Sequence, residues 1–244
     1  IFFAAKLDKK PQTIGTFVDE KIQENANTVK GPGCGLYLTF PTKAHEQVQM
    51  QVGLSYTSIE NARNNRDTEI ANKSFNDVKN AARQTWNELL GRIQVEGGTP
   101  EDKTKFYTGL YHALLGRGIA NDINGQYIRH DKTIGQIPLD KNGIPLYSHH
   151  NTDGMWGGFW NLTQIWTLAY PEIFSSYIKS NLDFFENSGW LHDGEAAGVY
   201  TNGVQTNFQG LIICAASQAG IRDFNIETAW SAICKNELEY KGRD

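Results

Sequence analysis

The hydrophobic pattern of this chain changes period near residue 60. Val48, Met50, Val52, Leu54 and Tyr56 alternate with Gln49, Gln51, Gly53 and Ser55, the two-residue period of a strand with one buried face. Leu36–Phe40 is a shorter apolar run between the turn-rich Gly31-Pro32-Gly33 and Pro41. Residues 1 to about 60 therefore read as β. So few strands would be marginal alone, and they read as the last strands of a larger sheet. Residues 61–73 are polar and charged and read as a passage between domains. From Ser74 the period becomes helical. Phe75, Val78, Ala82, Trp86, Leu89 and Ile93 recur at three- and four-residue steps, Ser74 and Asp77 fit a capping box, and Gly97-Gly98 breaks the run. Thr99-Pro100-Glu101-Asp102 opens a second helix with an N-cap, a Pro at the first helical position and acids at the positive dipole end. Phe106, Tyr107, Leu110, Tyr111, Leu114 and Leu115 form its apolar face, and Gly116 ends it.

A segment from about 117 to 160 has no sustained period and carries turn signals at Asn124-Gly125 and Asn142-Gly143. Connections this long are usually functional or disordered, and Asn124–Arg129 reads as a small hairpin. Helical character returns at about 159–170, 171–187, 206–219 and 225–239, with Pro171 at a helix entry. The fold class is α+β, and helix pairs joined by loops suggest a helical bundle or toroid that meets its ligand at one rim.

Composition narrows the function classes. A net charge of −4 over 244 residues leaves no basic stripe for a nucleic-acid partner. No apolar run reaches membrane-spanning length, so no transmembrane segment is expected. Cys34, Cys214 and Cys234 are too widely spaced for a disulfide framework or a CxxC site. Cys214, inside Leu211–Ala216, reads as a small core residue. Phosphate loops, nucleophile elbows and HExxH are absent from the sequence, which sets aside kinases, α/β-hydrolases and zincins. The chain starts at Ile1 in a strand-like run and stops at Asp244 straight after a helical pattern. It reads as part of a longer polypeptide, whose remainder is its first expected partner.

Candidate chemistry concentrates in two stretches. Thr152–Asn161 places Asp153, Trp156 and Trp160 among three glycines. Trp faces beside a carboxylate suit a sugar, whose ring needs apolar surface and whose hydroxyls need acceptors. Trp156, among glycines, is the best ligand-facing ring; Trp160 is open to either reading; Trp166, in an apolar run, reads as core. His192-Asp193-Gly194-Glu195 is a Gly-containing loop between two helices. Asp193 and Glu195 could serve as general acid or base, or accept from sugar hydroxyls; the rival reading is solvated loop charge. His149-His150 would point opposite ways on a strand and reads as loop polarity or sugar contact. The spacing matches no zinc motif, and no metal ligand is assigned on this chain.

Several segments, taken in order, resemble glycoside hydrolase family 92, a family of exo-acting α-mannosidases. They are Val52–Ala62, Trp86–Leu90, Ile93–Thr99, Phe106–His112 and Asp122–Tyr127, and the likeness runs from about residue 50 to residue 230. The resemblance implies the end of an N-terminal β-sandwich with its linker at 1–66, followed by the first part of a helical (α/α)6 barrel at 67–244. It implies inverting hydrolysis of a terminal α-mannosidic bond in a glycan substrate, dependence on calcium, and a secreted or periplasmic location. Calcium ligands and the general base are expected beyond Asp244. Trp156 matches the family's sugar-binding Trp, but Gly157 stands where its partner Asp would be. After Gly189-Trp190-Leu191, Tyr200 stands where the family carries its acid, and a phenol is a far weaker donor at neutral pH. Asp153, Trp156, Trp160 and Tyr200 would then line a pocket, with Glu195 and Asp193 as the acid candidates. Two other functions stay open: a glycan-binding or catalytically divergent member, and a glycosidase for another sugar or linkage.

Overall fold

A computed structural model of the chain describes residues 1–152, 154–200 and 207–239. Strands come first: β1 (Phe2–Leu7), β2 (Thr13–Val18), β3 (Lys21–Glu24), β4 (Cys34–Thr39) and β5 (Met50–Ser55). β1 and β5 pair antiparallel from Phe2↔Ser55 to Leu7↔Met50. β2 lies between β3 and β4, antiparallel to both.

α1 (Ile59–Ile70) packs on β5 and β1, so the polar stretch read as a passage is mostly a helix. The Ser58 hydroxyl caps it by accepting from the Asn61 N–H at 3.0 Å. The alternation in β5 is real, yet its buried face is the opposite of the one expected. Gly53 and Ser55 face inward, whereas Leu54 is 61% exposed and Met50 and Val52 are also exposed. Glycine is the reason. A Cβ on Gly53 would run into the Ala62 carbonyl oxygen and lie 2.9 Å from the Arg66 backbone nitrogen, so only the small-residue face lets α1 approach. Gly53→Ala is expected to destabilise the full-length protein by about 1–3 kcal/mol, because the obstructing atoms are helix backbone that cannot rotate away. Urea melts would register the loss, and an unchanged midpoint would contradict this packing.

A buried carboxylate ties the strands to the segment after α3. Asp122 accepts from Ser55 Oγ at 2.9 Å, Asn61 Nδ2 at 3.0 Å and Asn65 Nδ2 at 2.8 Å, and from the Thr57 hydroxyl. It is thus satisfied by the end of β5 and by α1 together, as a buried charge requires.

The helical part begins with α2 (Phe75–Leu90) and α3 (Pro100–Leu114), each opened by a complete capping box, Ser74/Asp77 and Thr99/Asp102. α2 stops at Gly91, earlier than the Gly97-Gly98 break expected. Next comes a hairpin of β6 (Gln126–Ile128) and β7 (Ile134–Gln136). Its turn is at 129–133. Asn124-Gly125 instead forms the preceding turn, closed by the Gly125 N–H to the Asp122 carbonyl at 2.8 Å. α4 (Met155–Gly158), α5 (Leu162–Ala169) and α6 (Pro171–Ser188) lead to a second small hairpin, β8 (Glu195–Ala196) and β9 (Val199–Tyr200); α7 (Phe208–Gln218) and α8 (Ile226–Leu238) complete the described helices.

The core centres on α6, whose Phe174, Tyr177 and Ile178 have no exposed surface. Met155, Trp166, Leu191, Ile212, Ile213 and Ala229 pack around it, so Trp166 is core as expected. Cys214 is not: it is exposed, because α7 turns Ile212, Ile213 and Ala216 inward. Other apolar faces stay open. No residue of α2 is buried, and Phe75, Leu168, Trp230 and Leu238 are exposed.

Candidate functional site

The two candidate stretches meet through backbone hydrogen bonds. α6 ends at Gly189, whose φ of 83° lets its N–H reach the Phe185 carbonyl at 2.7 Å and turns the chain inward. Asn236 of α8 holds both sides of Leu191, accepting its N–H at 3.1 Å and donating to its carbonyl at 3.0 Å. The chain then reverses at Ala197-Gly198, with φ of 52° and 68°, a two-residue turn left-handed at both positions. A Cβ on Gly198 would sit 2.6 Å from the Arg129 carbonyl oxygen. Glycine thus seats this turn on the β6–β7 turn, where the Lys132 ammonium donates to the Gly198 carbonyl. On the other side the Glu195 N–H donates to Thr152 Oγ1 at 2.9 Å, and the Thr152 N–H returns a bond to the Glu195 carbonyl at 2.8 Å. Ala197 N–H donates to Asn151 Oδ1 at 3.0 Å. The segment leading into the aromatic stretch therefore fixes the strand that carries Glu195.

Glu195 has 0% exposed surface, and neither carboxylate oxygen has a hydrogen-bond partner among the described residues. Burial pushes its carboxyl up to about 8, with the nearby Lys132 charge pulling the other way. At neutral pH it holds its proton, as a general acid must. Asp193, 2% exposed, accepts the Phe208 N–H at 3.1 Å. That places a carboxylate at the start of α7, where the helix dipole and an otherwise unpaired N–H favour it. Both acids are interior groups, and the solvated-charge reading of this loop is overturned.

His192 is buried, and its Nε2 lies 3.0 Å from Ser188 Oγ. Its ring stacks on that of the exposed His130, centroids 5.6 Å apart and planes 18° apart. One ligand atom from each of His130, His192 and Glu195 lies within 4.8 Å of the others. Residue pattern assigned His130 no role and His192 only a place in its loop. No spacing signal links two histidines so far apart in the chain, since the turns that join them meet only in the fold.

His149 and His150 are both buried and structural. His149 stacks on Tyr127 at 3.9 Å and faces Asp183 at 3.7 Å. His150 Nδ1 donates to the Arg117 carbonyl at 3.0 Å while Nε2 meets Ser176 Oγ at 3.0 Å. Burial lowers both rings, His150 to about 4, so they are neutral at pH 7.

In the aromatic stretch Gly154 takes a φ of 73° and Met155 plugs the core. Phe159 stacks on Phe208 at 5.1 Å. Trp156 and Trp160 are left 52% and 69% exposed, so Trp160 resolves as a surface ring, edge-on to Phe159 and Phe208. Asp153 and the Tyr200 side chain lie outside the described residues; the Tyr200 backbone pairs with Glu195. The fold thus joins Asp193 and Glu195 to the entrance of the Trp stretch. It sets a separate cleft of about 520 Å³ between Trp86, Leu114, Arg117, Leu146 and Ile173, which His150 lines and which Asp193, Glu195, Trp156 and Trp160 do not.

Calcium takes six to eight oxygen ligands. Among the described residues, His130, His192 and Glu195 are the one group of three or more His, Cys, Asp or Glu side chains close enough to share a metal ion. Two imidazoles and one carboxylate do not fit calcium, which takes oxygen ligands.

Comparison with known proteins places this geometry in a family. The sequence profile of the Glycosyl hydrolase family 92 N-terminal domain matches residues 1–55 and that of the Glycosyl hydrolase family 92 catalytic domain matches residues 61–244. A comparison with curated proteins yields no match. Among solved structures, a family GH92 inverting mannosidase from Bacteroides thetaiotaomicron superposes with a TM-score of 0.80 at 24% identity, over 94% of this chain and 30% of its own. A GH92 α-mannosidase from the same organism superposes with a TM-score of 0.84 at 21% identity, over 98% of this chain and 32% of its own. The latter is also known in complex with mannoimidazole (TM-score 0.82, 22% identity, 97% of this chain and 32% of its own). This chain therefore spans about a third of the length of the mannosidases it matches. With strands handing over to helices where the two profiles meet, the chain belongs to glycosyl hydrolase family 92.

Proposed function

We propose that this chain is part of an exo-acting, α-mannosidase-like glycoside hydrolase that inverts configuration at a terminal α-mannosidic bond. The observation that carries the reading is Glu195: a fully buried carboxyl without a hydrogen-bond partner among the described residues, protonated at neutral pH, in a chain of this family. Glu195 would protonate the departing glycosidic oxygen. An inverting reaction then needs a base roughly 6.5–9.5 Å away to activate water on the opposite face, and that base is expected beyond Asp244. Trp156 and Trp160 would carry the apolar face of the glycan, and Asp153 and Tyr200 would meet its hydroxyls. Asp193 would hold the start of α7 and with it the shape of the loop. The open helix faces would be covered by the rest of the polypeptide, and a secreted or periplasmic location would suit a glycan substrate. The test is release of mannose from α-linked mannobioses by the full-length protein in calcium-containing buffer. No release from any linkage would sink the proposal.

A second reading, a glycan-binding member without turnover, is favoured by one feature. Glu195 has no exposed surface, so its side chain must swing out before it can reach a saccharide. Gly157 and Tyr200, at positions where the family resemblance implies carboxylates, point the same way. Calorimetry that detects glycan binding by a protein with no hydrolytic turnover would select this reading.

A further inference from the structure

We propose that His130, His192 and Glu195 form a binding site for a transition-metal dication of the zinc class, and that filling it withdraws Glu195 from proton donation. The second half rests on Glu195 being the acid; the first does not. Two imidazole nitrogens and a carboxylate oxygen are a donor set that suits zinc and its neighbours, as opposed to calcium or magnesium. The three ligand atoms already lie within 4.8 Å of one another.

The Glu195 carboxylate adds a second observation that points to a ligand. It has no exposed surface and no hydrogen-bond partner among the described residues, and one of its oxygens lies within 4.8 Å of a ring nitrogen of each histidine. Buried carboxylates are ordinarily satisfied by donors or by a cation. The nearby ammonium, Lys132, donates to the Gly198 carbonyl. Zinc bonds of about 2.0–2.2 Å place tetrahedral ligand atoms roughly 3.5 Å apart, so the group must close by about 1 Å. His130 can supply that movement, because it is exposed while His192 and Glu195 are buried. The same exposure gives the ion an entry path and leaves its fourth position open to water.

Binding removes the carboxyl proton and occupies the oxygen that would have carried it. Metal ligation and acid catalysis by Glu195 therefore exclude each other, and zinc acts as an inhibitor.

The experiment titrates zinc against a chromophoric chelator with the full-length protein in calcium-containing buffer, and measures mannoside hydrolysis with and without zinc. The wild type is expected to bind one zinc per chain at this site. His130→Ala, a change at an exposed ring, should weaken that binding at least about tenfold and raise the zinc concentration that halves hydrolysis by a similar factor. His192→Gln should weaken binding likewise. Failure of the wild type to bind zinc, or equal affinity in His130→Ala, overturns the site even if mannose is released. Zinc binding that depends on His130 but leaves hydrolysis unchanged supports the site and overturns the acid role of Glu195.

Discussion

Replacing Glu195 by Gln in the full-length protein is expected to lower kcat on α-mannobioses by about 10²–10⁴-fold, the range spanned by loss of a general acid. The change is nearly isosteric. Glu195 makes no side-chain hydrogen bond among the described residues, and a neutral carboxyl is exchanged for a neutral amide, so the fold should survive. KM should change little, because the loss falls on the transition state. An aryl mannoside with a good leaving group needs less protonation and should retain most of its rate. That split separates loss of a proton donor from general damage to the site. If kcat on the mannobioses is unaffected, Glu195 is not the acid, and Asp193 is the next candidate to substitute.

The same carboxyl should leave a mark on stability. Its ordinary value is 4.5 and burial raises it to about 8 in the folded chain. Between those values the folded state holds a proton that the unfolded state has released. Stability from this group is therefore complete below the unfolded value and is lost as pH rises toward the folded one. The slope is at most about 1.4 kcal/mol per pH unit, and relaxation around the charged form should leave a loss of a few kcal/mol across the window. The buried histidines oppose this at the acid end. Their rings are lowered by burial, so their contribution grows as pH rises toward the ordinary histidine value. The informative quantity is thus the difference between wild type and Glu195→Gln. In urea melts with a zinc-selective chelator present, the variant should gain on the wild type steadily from about pH 5 to pH 8. A constant difference would mean that the carboxylate is stabilised by a partner or by water when charged.

Much of the architecture is local and therefore legible. Ser74 with Asp77 and Thr99 with Asp102 form the capping boxes expected, because a cap needs only residues three apart. The handover from alternating to helical period marks the passage from strands to helices. Departures arise where distant elements choose a face. β5 alternates as read, but Gly53 lets α1 settle on the small-residue side and leaves Leu54 outside. Cys214 lies in an apolar run, yet rotation of α7 against α6 turns it outward.

The site follows the same rule. Residue type and near spacing point to strands followed by helices, with Trp rings among glycines and two acids on a Gly-containing loop, while the family rests on the likeness of whole segments and on the profile matches. The character of those acids came from the packing of distant segments. Asp193 is drawn to the N-terminus of α7, and Glu195 is buried on a strand whose backbone is tied to Thr152 and whose turn rests on Arg129. The 129–133 turn then brings His130 alongside it. A carboxyl's proton affinity and its neighbours are set by burial and by segments remote in the chain, and no local pattern along the sequence encodes either.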